Sequence, residues 1–132
     1  MITPARIQVR FTDLDVLGHV NNNIYFSYFE MTRVHYFKEL LGDHWDWRKF
    51  GIVLAKNEVE YVRSVLLNDQ PEIFMYTEHI GNKSFTLGYE LLVNGQLYAE
   101  GRSVQVCFDA IAQETIPVPD AMREALSLLI RE

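Results

Sequence analysis

Cysteine is nearly absent. The 132-residue chain carries one, Cys107, so no disulfide can form within it, and a reducing compartment is the simpler setting. Cys107 sits inside a β-like run, where a free cysteine behaves as a small buried apolar group rather than a nucleophile. Positive charge is also scarce. Twelve Lys and Arg stand against 18 Asp and Glu, a formal net charge of −6. Such a surface repels phosphate backbones and argues against nucleic-acid binding. A polyanionic ligand would need a local basic patch. No window approaches the roughly 18 continuous apolar residues of a membrane span. The opening stretch, MITPARIQVRF, lacks the apolar core of a secretory signal. Repeats, linkers and low-complexity tracts are missing as well. A single cytoplasmic domain over residues 1–132, with no membrane partner, is the expectation.

Aromatic surface is plentiful, at 13% of residues. In a domain this small, part of it is available to line a pocket or a subunit interface. The pattern begins with a half-buried strand over Arg6 to Thr12, where Ile7, Val9 and Phe11 alternate with polar residues. A polar turn follows. From about Asn23 to Leu41 the chain reads as a helix, with Asn21, Asn22 or Asn23 as N-cap and Gly42 at the C′ position. Its apolar residues cover most of the circumference, which predicts a helix buried on most sides. Four strand candidates come next: Val53 to Val65, Glu72 to Ile80, Ser84 to Val93 and Leu97 to Asp109. Phe85, Leu87, Tyr89, Leu91 and Val93 share one face of the third. Val104, Val106 and Phe108 share a face of the last. Asn94-Gly95 predicts a type I′ hairpin and Gly81-Asn82 a second turn, so these strands run in meander-like succession. A short amphipathic helix from Asp120 to about Ile130 closes the chain. The fold class is α+β: one antiparallel sheet around one long helix, with exposed edges that a second copy would cover.

The densest polar cluster is Asp13, Asp15, His19, Asn21 and Asn22, between a strand end and the start of that helix. The first turn of a helix offers unpaired N–H groups and the positive end of the dipole. Such donors can hold a carbonyl oxygen as negative charge develops on it. A nearby carboxylate can attack that carbonyl or activate a water. Plainer roles stand beside these. Asp13 and Asp15 can cap backbone N–H groups of the turn, His19 can orient a neighbour or pack in the core, and the asparagines suit helix caps. The D-x-D-x-x-x-H spacing lacks a clear third metal ligand, so no metal is expected. Asp13-Leu-Asp15 also resembles the nucleophile motif of haloacid-dehalogenase-like phosphatases. Those enzymes need a doubly wound parallel sheet, which the hairpin turns here exclude.

The run Asp13-x-Asp15-x-x-Gly18-His19-Val20-Asn21-Asn22-x-x-Tyr25, continued by Tyr28-Phe29-Glu30 and Arg33, resembles the 4-hydroxybenzoyl-CoA thioesterase-like branch of the hotdog superfamily. It looks especially similar to the bacterial long-chain acyl-CoA thioesterases. Weaker matches continue through Val59-Glu-Tyr61-x-Arg63, Gly81-x-Lys83-Ser84-Phe85 and Asp109. The resemblance implies a hotdog fold: a five-stranded antiparallel sheet wrapped around a long central helix, plus the short C-terminal helix. It implies homodimers or homotetramers with active sites at the dimer interface. It makes Asp15 the catalytic nucleophile or general base. The Asn22 backbone N–H becomes the donor to the thioester carbonyl, and His19 keeps a supporting role. Arg63, Lys83 and Ser84 fall where relatives bind CoA, although a solvated surface role suits Arg63 and Lys83 equally.

The reading that results is hydrolysis of a fatty or aromatic acyl-CoA to free acid and CoA, without cofactor or metal, CoA being part of the substrate. Phe26, Phe29 and Tyr61 are candidates to line the acyl slot, with core packing as their default role. The alternatives are a non-catalytic hotdog protein that binds acyl thioesters, and a thioesterase acting on acyl carrier protein. The net negative charge disfavours an acidic carrier.

Overall fold

The computed structural model describes residues 1–131. Helix α1 spans Ile24–Leu41 and ends at Gly42, as its sequence predicts. Five strands follow the sheet order β1 (Ala5–Arg6), β3 (Glu72–Ile80), β4 (Ser84–Val93), β5 (Gln96–Asp109), β2 (Gly51–Tyr61). A two-residue strand, β6 (Glu114–Thr115), pairs with β5 beyond this path and was not foreseen. Every pairing is antiparallel. The α+β hotdog architecture expected from the sequence is the one observed, with α1 laid on the concave face of the curled sheet. Among the described residues, no helix is long and apolar enough to cross a membrane.

The meander holds only for β3, β4 and β5. The β4–β5 turn places Asn94 at φ +52° and Gly95 at φ +78°, the two positive values that a type I′ hairpin demands. Strand β2 instead pairs with β5 along its whole length, from Gly51 opposite Phe108 to Tyr61 opposite Ala99. The connection from 62 to 71 is long enough to cross the end of the sheet and reach β3. β2 is thereby the free edge strand beside β5.

Two other expectations change. The first strand shrinks to Ala5–Arg6. Ile7 still donates its N–H to Pro71, and Ile7 and Val9 are buried. Phe11–Asp13 then form a single 3-10 turn, because Asp13 accepts the Arg10 N–H at 3.0 Å and bends the chain, leaving Phe11 exposed. The expected strand Val53 to Val65 starts two residues earlier and stops at Tyr61. There Val62 and Arg63 both donate to the Tyr98 carbonyl, and the chain peels away from β5.

Helix α1 is buried on one face, not most of its circumference. Tyr25, Tyr28, Phe29, Thr32, Arg33, Tyr36 and Phe37 follow helical spacing and pack on the sheet, while Met31 and Val34 stay exposed. One curled sheet can cover only one side of a helix. Each aromatic buried this way contributes roughly 1.5–3 kcal/mol. Opposite them, Phe85, Leu87, Tyr89, Leu91 and Val93 of β4 form the inner wall. On β5 the inner face is Ala99, Gly101, Ser103, Gln105 and Cys107; Val104, Val106 and Phe108 point outward. The Phe29 ring lies against Gly101, at a place where a Cβ would overlap it, and stacks on Tyr89 at 4.5 Å. Beyond it runs a buried polar chain. Arg33 donates to the Tyr89 hydroxyl (2.9 Å), Tyr89 bonds Ser103 (2.7 Å), and the Gln105 amide donates to Ser103 (3.1 Å).

Helix α2 spans Asp120–Ser127, shorter than expected, since residues 129 and 130 pair with Thr77 instead. It buries Met122, Ala125 and Leu126 over β3 and against Cys107. Cys107 is fully buried, as expected, and burial pushes its thiol up to about 11.

Candidate active site

A tight turn presents Asp15. Its N–H donates to the His19 carbonyl (2.8 Å), and Gly18 donates back to the Asp15 carbonyl (3.1 Å). Gly18 sits at φ +79°, a left-handed position that a side chain would strain. Leu14 and Val20 bridge across the base of this turn. The Asp15 Oδ1 accepts the N–H groups of Leu17 (2.9 Å) and His19 (3.3 Å). Its Oδ2 has no partner among the described residues. The turn-capping role therefore occupies one carboxylate oxygen and leaves the other free.

Asp13 behaves differently. It is 3% exposed and its Oδ2 accepts both the Tyr28 hydroxyl (2.7 Å) and the Arg10 N–H (3.0 Å). Burial, followed by the Asp13 hydrogen bond and the Asp13 charge, drives the Tyr28 hydroxyl far above the ordinary tyrosine range. Asp13 also fixes the helix entry, because its carbonyl accepts the Asn21 N–H at 2.8 Å. The structural reading of Asp13 is the one that its surroundings bear out.

The chain leaving β2 supplies the other wall. Val20 donates to Val65 at 2.8 Å, and His19 bridges to Leu66. These contacts draw Asp15, His19, Asn22, Tyr25, Tyr61 and Arg63 around one small cleft of about 150 Å³. At the start of α1, Asn23 holds the cap position without a side-chain bond, and the Asn21 side chain accepts the Asn23 N–H instead. The Asn22 N–H has no acceptor among the described residues. Its carbonyl is held by the Tyr61 hydroxyl at 2.8 Å. Tyr61 meets Tyr25 edge-on at 4.9 Å, and burial raises both hydroxyls above the ordinary range. The cleft thus joins one free carboxylate oxygen, one free backbone N–H at the positive end of a helix, and the Arg63 cation. A carbonyl held by that N–H would lie open to attack from the carboxylate side or from a water the carboxylate activates.

The structure brings Asp15, Asn22, His19 and Arg63 together. Lys83 and Ser84 lie elsewhere. Ser84 pairs with Val106 while Tyr61 pairs with Ala99, so roughly 23 Å of strand separates the two ends. Of the aromatic candidates, Tyr61 lines the cleft, Phe26 is half-buried, and Phe29 is fully buried core. Sequence reasoning missed the Tyr61 clamp on Asn22. Its signal was an aromatic at the end of β2, which the misplaced strand end hid.

A model of the thioesterase-like superfamily matches residues 9–126. The chain is 26% identical to the long-chain acyl-CoA thioesterase FadM of Escherichia coli over 96% of its own length and 98% of that protein. It is 34% identical to the uncharacterised protein YsmA of Bacillus subtilis, over 64% of its own length and 56% of that protein. Among solved structures, a Thermus thermophilus thioesterase complexed with coenzyme A and Zn is similar at 34% identity and a TM-score of 0.83, covering 96% of this chain and 92% of that one.

Proposed function

Because the chain belongs to the thioesterase-like superfamily and is a thioester hydrolase, we propose that it cleaves acyl-CoA through Asp15. One observation carries this reading: the free Oδ2 of Asp15 and the unpaired Asn22 N–H line the same cleft. The N–H receives the thioester oxygen as it becomes negative. Asp15 either attacks the carbonyl carbon, expelling the CoA thiolate and forming an anhydride that water then opens, or takes the proton of an attacking water. His19 stiffens the turn through its backbone. Arg63 supplies positive charge for a CoA phosphate.

Two features favour a homo-oligomer with shared sites. The Asp15 cleft is smaller than the roughly 300–1,000 Å³ of ordinary ligand pockets. The apolar tip residues Val16 and Leu17, and Met31 and Val34 on α1, are exposed, as a subunit contact would require. Lys83 and Ser84, remote from Asp15 in their own chain, would then serve the site of another copy. A cytoplasmic acyl-CoA thioesterase of fatty-acid metabolism is the setting that fits.

The test is hydrolysis of acyl-CoAs from acetyl to palmitoyl, plus one aromatic, read as free thiol. Single turnover in heavy-oxygen water separates the two roles of Asp15. Label in the Asp15 carboxylate marks a nucleophile, and label confined to the product acid marks a general base. Binding of acyl-CoA without turnover on any member of the panel would leave a binding module in place of an enzyme.

A further inference from the structure

A second cleft, of about 550 Å³, lies between the C-terminal half of α1 and the start of β2, walled by Val34, Phe37, Trp47, Ile52 and Leu54. Two buried polar side chains also line it: Arg33, 8% exposed, and Gln105, 1% exposed. Glu30, Lys38 and Asp43 stand exposed around the opening, with Lys38 and Asp43 paired at 3.9 Å. Among the described residues, no carboxylate lies within ion-pair distance of Arg33, and its one hydrogen bond runs to the Tyr89 hydroxyl. A guanidinium cannot shed its charge, carries five N–H donors, and is costly to bury without a counter-charge. The remaining donors and the adjoining apolar walls suit a ligand that is apolar along its length and anionic at its end.

The two clefts share a wall. On the inner face of β2, Ile52 and Leu54 line the second cleft and Tyr61 lines the Asp15 cleft. The bulge between Leu54 and Lys56 keeps Asn57 on that same face, opposite Ser103, with Val59 next. The Asn57 side-chain oxygen is buried there without a partner. On α1, Tyr25 and Arg33 are about 12 Å apart along the helix axis. The groove between α1 and β2 therefore runs from the free carboxylate of Asp15 to the buried guanidinium of Arg33.

We propose that this groove selects acyl-CoAs whose acyl chain ends in a carboxylate, and that Arg33 receives that group as a bidentate pair. The proposal rests on the thioesterase reading above and adds the substrate class. The test compares octanoyl-CoA with its ω-carboxylated counterpart, suberoyl-CoA. Wild type should favour suberoyl-CoA in kcat/KM by about tenfold or more, the contribution of a hydrogen bond to a charged group. Arg33→Met should erase or invert that ratio while octanoyl-CoA is still cleaved. Leu54→Glu sets a competing carboxylate in the cleft at a half-exposed position, and should lower the ratio too. That variant and the wild-type ratio decide the matter if Arg33→Met does not fold. A wild-type ratio near one overturns the proposal, as does a preference that survives in the variants. A changed oligomeric state in Arg33→Met with the ratio intact would give the guanidinium's anion to a second copy, and overturns it as well. Cleavage of octanoyl-CoA without preference defeats only the carboxylate subsite. Failure of wild type on every thioester defeats the thioesterase reading, and this proposal with it.

Discussion

Asp13 and Asp15 stand two residues apart on opposite sides of one turn. The inner side is closed: Asp13 is buried under Tyr28 and satisfied by Arg10 and Tyr28. The outer side is open: Asp15 is exposed, with one oxygen spent on its own turn and the other free. A carboxylate whose bonds are all made locks a loop in place. One that keeps an oxygen free beside an unpaired N–H is available to a substrate. The same residue type thus carries two roles, and burial divides them.

Asp15→Asn should break the outer side alone. We expect kcat on the preferred acyl-CoA to fall about two decades or more, the usual contribution of a base or nucleophile, with the urea midpoint barely changed. An Asn side-chain oxygen can still accept the Leu17 and His19 N–H groups. Asp13→Ala should break the inner side. It leaves the Tyr28 hydroxyl and the Arg10 N–H without their acceptor, at about 2–3 kcal/mol of unfolding free energy. The Arg10 ion pair, at 3.6 Å and largely in solvent, adds little. If Asp13→Ala were instead neutral in urea titration and dead in catalysis, the division of roles would be reversed.

Why Asp15 was legible and its partners less so follows from range. The turn, its glycine and the helix start are written within a dozen residues of one another, and local turn chemistry specifies them. The I′ hairpin at Asn94-Gly95 was readable for the same reason. The pairing of β2 with β5 was not, because nothing in the sequence of a strand names its partner across the chain. The apolar run of α1 was read as a buried helix, yet Met31 and Val34 are exposed. Composition records which residues want to be covered, and not whether their own chain covers them. The outward-facing Val104, Val106 and Phe108 misled in a related way, since the inner face of β5 carries the polar Ser103 and Gln105 that bind Tyr89 and Arg33.

Tyr61 sharpens the outer side. Its hydroxyl holds the Asn22 carbonyl, and so aims the N–H of the same residue. Tyr61→Phe keeps the ring against Tyr25 and deletes only that bond. We expect kcat to drop by roughly tenfold as the oxyanion donor loses its orientation, KM to move little, and stability to fall by no more than about 1 kcal/mol. A change confined to KM would make Tyr61 a wall of the pocket and nothing more.

The smallest effect lies in the alkaline limb of stability, and it separates the two sides by a second route. Tyr28 and Tyr61 both have raised hydroxyls, but burial alone raises Tyr61, whereas burial, the Asp13 hydrogen bond and the Asp13 charge all act on Tyr28. A group whose folded value is raised holds its proton longer in the folded chain. Its contribution is whole below the unfolded value of 10.0 and is lost as pH climbs from there toward the folded value. Stability against urea should therefore decline above about pH 10 in wild type. Tyr28→Phe should flatten that decline more than Tyr61→Phe does, with Tyr25, Tyr36, Tyr76 and Tyr89, also raised, supplying the slope that remains. Equal flattening by the two variants would mean that Asp13 exerts no hold on Tyr28, and that the inner side of the turn is closed by packing rather than by charge.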